Sequence, residues 1–200
     1  CRDYDYSEDN LYKASLQKTT AVEKVEIIRQ PYSTSYVQEL DRQFGFSSEG
    51  IGLRVTYDNG DTTFLGYDED GNYIDEDKYG NYYWQRESDW DEIISKPGIY
   101  DVHVGVDEVE ADEPVKIQVL PLENIPQITE ANYFSIGMSK EKREWKKVVP
   151  SKSGQYNISV SEWTYIYILD ENFEQIDADY AMDMSAPMDA GKTYYICFQS

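Results

Sequence analysis

Gly52-Leu53-Arg54-Val55-Thr56-Tyr57-Asp58-Asn59-Gly60-Asp61-Thr62-Thr63-Phe64-Leu65-Gly66-Tyr67 is the stretch that decides the fold class. Leu53, Val55 and Tyr57 alternate with Arg54 and Thr56, the two-residue period of a strand with one face buried. Asn59-Gly60 follows, the strongest short hairpin signal, because both residues tolerate the positive φ that a tight turn demands. Thr62 to Tyr67 is then the returning strand. Working outward, Val22, Val25 and Ile27 form an earlier strand that Pro31 ends. Asp68-Glu69-Asp70-Gly71 is a second turn, with Asn72 to Ile74 on its far side. Pro97-Gly98 is a further turn. After it, Tyr100, Val102, Val104 and Val106 alternate with Asp101, His103 and Gly105, and Val115, Ile117 and Val119 repeat the alternation. Residues 75–92 are read as a loop with one short strand at Tyr82–Gln85. No long amphipathic helix interrupts the region, so it is expected to be all-β.

Pro121 and Pro126 bracket a short connection, and a domain boundary is placed near residue 124. Beyond it Asn132 to Gly137 restarts the pattern, and Lys140 to Lys147 forms a basic cluster around Trp145. Ser151 to Gly154 is a turn, followed by alternating Tyr156, Ile158 and Val160. Trp163, Tyr165, Tyr167 and Leu169 make one face of the next strand, and Thr164, Ile166 and Ile168 the other. Both faces are largely apolar, so this strand is expected to be central and Trp163 structural. Trp145 is expected to cap the core, with Lys146 and Lys147 reaching water. Asp170 to Asn172 is a turn, with Phe173 and Ile176 beyond it. Ala190 to Lys192 precedes a last strand, Thr193 to Phe198. The expectation is an all-β chain of two consecutive antiparallel β-sandwich domains. An N-terminal tether (1–20) leads into an immunoglobulin-like sandwich (21–123) with an acidic, aromatic insertion (68–92). A small jelly-roll-like sandwich (127–200) completes it.

The 200 residues carry 39 acidic and 18 basic side chains, a formal charge of -21. That charge argues against nucleic acid, whose phosphates need a basic surface, and against an anionic membrane surface. No stretch approaches the ~20 apolar residues of a membrane-spanning helix.

Candidate sites fall into five groups. Tyr79, Tyr82, Tyr83, Trp84 and Trp90 are the ligand-binding candidates, because ring faces among acids and amides can stack sugars or anchor a protein contact; the competing reading is that they cover the sandwich edge or the interdomain seam. Asp68, Asp70, Asn72, Asp75 and Asp77 are calcium candidates, since that ion takes six to eight hard oxygens. The EF-hand register fails there, with Gly71 at position 4 and Tyr79 at position 12, so a solvated hairpin turn is the plainer reading and calcium the alternative. His103 is the only histidine. A catalytic His needs an acid and a nucleophile at hydrogen-bond reach, and no G-x-S-x-G motif is present, so a solvent-facing or strand-pairing role is expected. With 39 acids some carboxylate pair suits a glycosidase by chance alone, so hydrolase chemistry is only a remote alternative. Cys197, in an apolar run, reads as a small buried hydrophobe. Cys1 heads a polar stretch.

Three resemblances follow from these residues. Cys1 with its hydrophilic tether resembles the mature end of a bacterial lipoprotein, which implies a lipid on Cys1. Val22 to Ile28, the Gly52–Gly60 segment, Pro97 to Val104 and Val115 to Leu120 together resemble a bacterial immunoglobulin-like domain of the kind found in tandem on surface proteins. Such domains are spacers, adhesive modules or small-partner binders. Ser153-Gly154-Gln155-Tyr156, Tyr165 to Asp170, and Ala190 to Ile196 resemble the pre-peptidase C-terminal family of small β-sandwiches. These accompany secreted enzymes and surface proteins as non-catalytic modules, and some bind calcium or matrix polymers. The resemblances imply a non-catalytic, extracellular or cell-surface bacterial protein for adhesion or structural presentation. Its partner would be a protein or glycan, and the alternative is a carbohydrate-binding module of a secreted processing system.

Overall fold

The computed structural model describes residues 20–86, 89–129, 134–137 and 142–199. The fold is all-β, built from several antiparallel and mixed sheets. In the first half, β1 (Val22–Arg29), β3 (Gly52–Tyr57), β4 (Thr62–Tyr67) and β5 (Tyr73–Ile74) form one sheet in that order. The second sheet runs β2 (Ser35–Val37), β9 (Val115–Leu120), β7 (Gly98–Val106) and β6 (Tyr83–Arg86), with β8 (Val109–Glu110) paired to β7. β2 lies parallel to β9 and the other pairs are antiparallel. The inward residues of both sheets, among them Val25, Leu53, Val55, Leu65, Val104 and Ile117, share one buried cluster. Two sheets face to face over a common core make a sandwich. A short helix, α1 (Trp90–Ile94), buries Ile93 and Ile94 against that core, where the sequence suggested only loop.

Four hairpin loops share one construction. In Tyr57–Asp61, Asp68–Asn72, Asp77–Asn81 and Asp170–Glu174, the first N–H donates to the fifth carbonyl at 2.9, 3.0, 3.3 and 2.9 Å. The fourth residue takes positive φ: Gly60 (84°), Gly71 (86°), Gly80 (80°) and Phe173 (65°). This is the three-residue hairpin loop closed by a left-handed residue, a position where glycine avoids the Cβ clash. Phe173 is a costly choice there, on the order of 1–2 kcal/mol. Its ring packs against Tyr195 at 5.6 Å, which offsets the strain.

In the second half, five strands form one sheet in the order β10 (Gln127–Ile128), β11 (Arg143–Val148), β14 (Tyr194–Gln199), β12 (Gly154–Leu169) and β13 (Gln175–Met188). The two strands expected at Tyr156–Val160 and Trp163–Leu169 are one 16-residue strand. No Gly or Pro separates them, and the chain instead bulges between Ser159 and Thr164. The bulge folds the β12–β13 hairpin back on itself. Ile176 and Pro187 of β13 line the same small cavity of about 220 Å³, although eleven straight-strand residues would span roughly 36 Å. Ile158, Met184 and Met188 on one arm therefore share a core with Ile166 and Ile168 on the other and with Phe198 of β14, so this half is sandwich-like as well.

A third buried cluster joins the halves: Val37, Leu40 and Ile125 meet Trp145, Leu169, Tyr195 and Cys197. Lys146, expected in water, is buried and paired with Glu144.

Candidate functional site

The register of the second sheet decides which of its side chains share a face. Trp145 pairs with Cys197 and Cys197 with Tyr167; Arg143 pairs with Gln199, Gln199 with Tyr165, and Tyr165 with Tyr180. These residues therefore stand on one face, opposite Ile166, Ile168 and Phe198, which are buried in the core.

One end of this face is covered by the first half of the chain. Phe44 meets Tyr167 edge-on at 4.9 Å, and the Arg143 guanidinium lies 4.2 Å over the Phe44 ring. Asp41, 2 % exposed, sits at the centre. Its Oδ1 accepts from Trp145 Nε1 at 3.2 Å and from Arg143 Nη1 at 3.4 Å, and its Oδ2 accepts from the Val37 N–H at 2.5 Å. Burial pushes the Asp41 carboxyl up from its ordinary range, and the Arg143 charge opposes that rise. Burial also raises the Cys197 thiol well above its usual value, so Cys197 is a packed hydrophobe here, as its apolar setting suggested.

The other end of the same face is open. Trp163 is 61 % exposed, Tyr180 48 % and Tyr165 47 %. Tyr165 and Tyr180 are directly opposite across strands with ring centroids 4.7 Å apart, Trp163 lies 5.5 Å from Tyr180, and Tyr167 extends the row at 6.4 Å from Tyr165. The ring planes are tilted by 20° to 42°, following the twist of the sheet. Trp163 is thus a surface residue, correcting its expected structural role. β12 is central at Tyr165–Leu169, but central position covers only one of its faces at this end.

The five aromatic residues proposed from the sequence are not gathered in this way. Tyr79 packs on Tyr57 at 4.4 Å, and its hydroxyl binds Asp61 and accepts from Asn59 at 2.9 Å. Tyr83 points into the first core and its hydroxyl meets Ser48 Oγ at 3.1 Å. Trp84, on the other face of β6, donates to the Asp107 carbonyl at 2.6 Å and lies across Gly105. A Cβ on Gly105 would stand 2.4 Å from that ring. Trp90 packs edge-on to Tyr36 at 5.0 Å and donates to the Arg42 carbonyl at 3.2 Å. Tyr82 alone of the five is largely exposed, and its hydroxyl donates to Glu76 at 2.7 Å.

The acidic candidates organise loops. Asp68 Oδ1 accepts the N–H groups of Asp70 and Asn72 at 3.0 and 2.8 Å, and Oδ2 accepts the Asn72 amide at 3.0 Å. These bonds, from Asn72 first, lower the Asp68 pKa. Asp77 Oδ1 accepts the N–H groups of Tyr79 and Asn81 in the same pattern, at 2.8 and 3.1 Å. Asp70 and Asn72 are exposed, and Asp75 is exposed with Tyr73 donating to it at 3.4 Å. Among the described residues, no three His, Cys, Asp or Glu side chains come together in a metal-holding group. Nearby, hydrogen bonds from Lys78, then Tyr79 and Asn59, hold Asp61 down to about 2. His103 Nδ1 meets the Glu110 carboxylate across the β7–β8 pair. Cavities of about 530 and 490 Å³ lie beside Ile93–Tyr100 and Trp84–Glu108, and His103 lines neither. Cys1 lies outside the described residues.

A signal for the loops was present in the sequence: Asp68-Glu69-Asp70-Gly71-Asn72 and Asp77-Lys78-Tyr79-Gly80-Asn81 are the same Asp-x-x-Gly-Asn pattern nine residues apart. The aromatic strip had a weaker signal, in Trp163, Tyr165 and Tyr167 alternating on one face of their strand. Among the described residues, no helix is long and apolar enough to cross a membrane. The all-β, multi-sheet architecture agrees with sandwich-type domains. The chain matches no protein-family model and no curated protein.

Proposed function

We propose that the protein is a non-catalytic adhesive or presenting module that works through the open aromatic end of its second sheet. It consists of two sandwich units, an immunoglobulin-like one (21–123) and a jelly-roll-like one (127–200), exported by a bacterium and presented at the cell surface. The observation that carries it is the strip itself. Trp163, Tyr165 and Tyr180 form a continuous exposed row on a rigid sheet, where apolar surface is costly unless something covers it. Tyr and Trp serve well in such contacts, being large, amphipathic and low in side-chain entropy.

Carbohydrate binding is the second reading, favoured by the high exposure of Trp163, since an open indole face is a natural sugar platform. The test is a panel of surface glycans and purified surface proteins probed with the intact chain and with Trp163→Ala. Binding that disappears in the variant supports the module reading. Binding unchanged in the variant places adhesion elsewhere and overturns it.

A further inference from the structure

The open strip continues a face whose other end is already covered, and the covered end shows what this surface accepts. Its cover is polypeptide from the first half of the chain: Phe44 lies edge-on against Tyr167, and Arg143, on the sheet itself, sets its guanidinium 4.2 Å from the Phe44 ring. Tyr167 belongs to both ends, touching Phe44 on one side and Tyr165 on the other. The strip is therefore continuous with an established interface.

Charge narrows the occupant further. From Gly154 to Asp189 the folded hairpin that carries the strip has eight acidic residues and no Lys, Arg or His. A second copy of this chain would bring the same acids and a formal charge of -21 against it, so self-association through this face is opposed by like-charge repulsion. A cation over an aromatic face is attracted by the ring quadrupole, and an acidic surround adds to that attraction.

The way of docking is restricted too. β13 is the outermost strand, and an outermost strand ordinarily invites an extra strand to pair with its free amides. Here the N–H groups of Ala178 and Tyr180 donate to their neighbours Asp177 and Asp179 at 2.9 and 2.8 Å. The edge beside the strip is occupied by its own side chains, while the ring faces stay open.

We infer that the strip formed by Trp163, Tyr165 and Tyr180 docks a basic polypeptide segment, laid on the face of the sheet with arginine or lysine side chains over the rings rather than added to the β13 edge. This rests on the module reading above and names its partner class.

The test uses the full chain and three probes in titration calorimetry: a short peptide alternating arginine and leucine, its glutamate counterpart, and a neutral β-linked glucose oligosaccharide. The arginine peptide is expected to bind and the glutamate peptide not. Affinity should fall steadily with added salt. Trp163→Ala/Tyr180→Ala, which leaves every charge in place, should weaken binding roughly tenfold or more. Glu162→Gln/Asp183→Asn should weaken it less and flatten the salt dependence. Circular dichroism melts of both variants control for folding. Equal binding by the ring-deleted variant would mean attraction to acidic surface alone and would overturn the inference, as would no binding of the arginine peptide. Ring-dependent binding of the oligosaccharide without the peptide would sink the basic-partner inference and leave the module reading standing. If no probe binds through the rings and the surface panel also shows no ring dependence, both readings fall.

Discussion

The two ends of one sheet face have nearly the same chemistry and opposite fates. Trp145, Tyr167 and Tyr195 at one end are packed beneath Val37, Leu40 and Phe44, and a buried carboxylate takes up the Trp145 N–H. Trp163, Tyr165 and Tyr180 at the other end are exposed to water. The strands do not differ, since β12 contributes to both ends. What differs is the reach of the first half, which covers the face only as far as Tyr167. An aromatic row on a strand thus says that a face wants a cover, and the topology elsewhere decides how much of the cover the chain supplies itself.

Substitutions that act on the covered end should have the largest effects. Asp41→Ala leaves the Arg143 charge and the Trp145 and Val37 N–H groups without their acceptor, and should destabilise the protein by about 3–5 kcal/mol in urea unfolding. A loss under about 1 kcal/mol would mean that water reaches Asp41 and that the joint is looser than its geometry implies. Gly105→Ala, in the first sandwich, should cost about 1–3 kcal/mol, because the new methyl meets the Trp84 ring at 2.4 Å and the Val109 carbonyl at 2.5 Å.

Acid should act next, and through the loops. Asp61 is held down to about 2 and Asp68 is also lowered, so both contribute stability that is present above the ordinary carboxylate range. That contribution is lost as pH falls from about 4 through the folded pKa values, because the unfolded chain takes up those protons first. The raised Asp41 pKa has the opposite sign and favours the native state as it protonates. Melting midpoints between pH 5 and pH 2 should therefore decline, and Asp61→Asn should flatten the lower part of that decline. The smallest effect on stability belongs to the open end: Trp163→Ala and Tyr180→Ala should each change unfolding free energy by only about 0.5 kcal/mol while affecting binding. A large loss at either would show that the strip is core after all.

Much of the first sandwich was legible. Asn59-Gly60 announced the β3–β4 hairpin, and the Val102–Val106 and Val115–Val119 alternations announced β7 and β9, because in each case one face is buried and the two-residue period reports it. β13 was not legible. Its residues from Asp177 to Met184 are mostly Asp, Ala and Met, poor strand formers, and they pair because β12 beside them is strong and the edge position asks little of them. Trp163 was misread for a related reason. Period two separates the faces of a strand but does not say which face is covered, and two apolar faces look alike whether they meet a core or a partner. Asp68 was ambiguous because the same carboxylate geometry serves a cation or a row of backbone amides, and only the closed loop at Asp68–Asn72 shows the amides in place.

The central claim, that this face is closed at Trp145 and open at Trp163, is tested most directly by acrylamide quenching of tryptophan fluorescence in the intact protein and in Trp163→Phe. The readily quenched component should fall sharply in Trp163→Phe, while Trp145→Phe should remove only a protected one. Loss of the accessible component from Trp145→Phe instead, with Trp163→Phe unchanged, would contradict it.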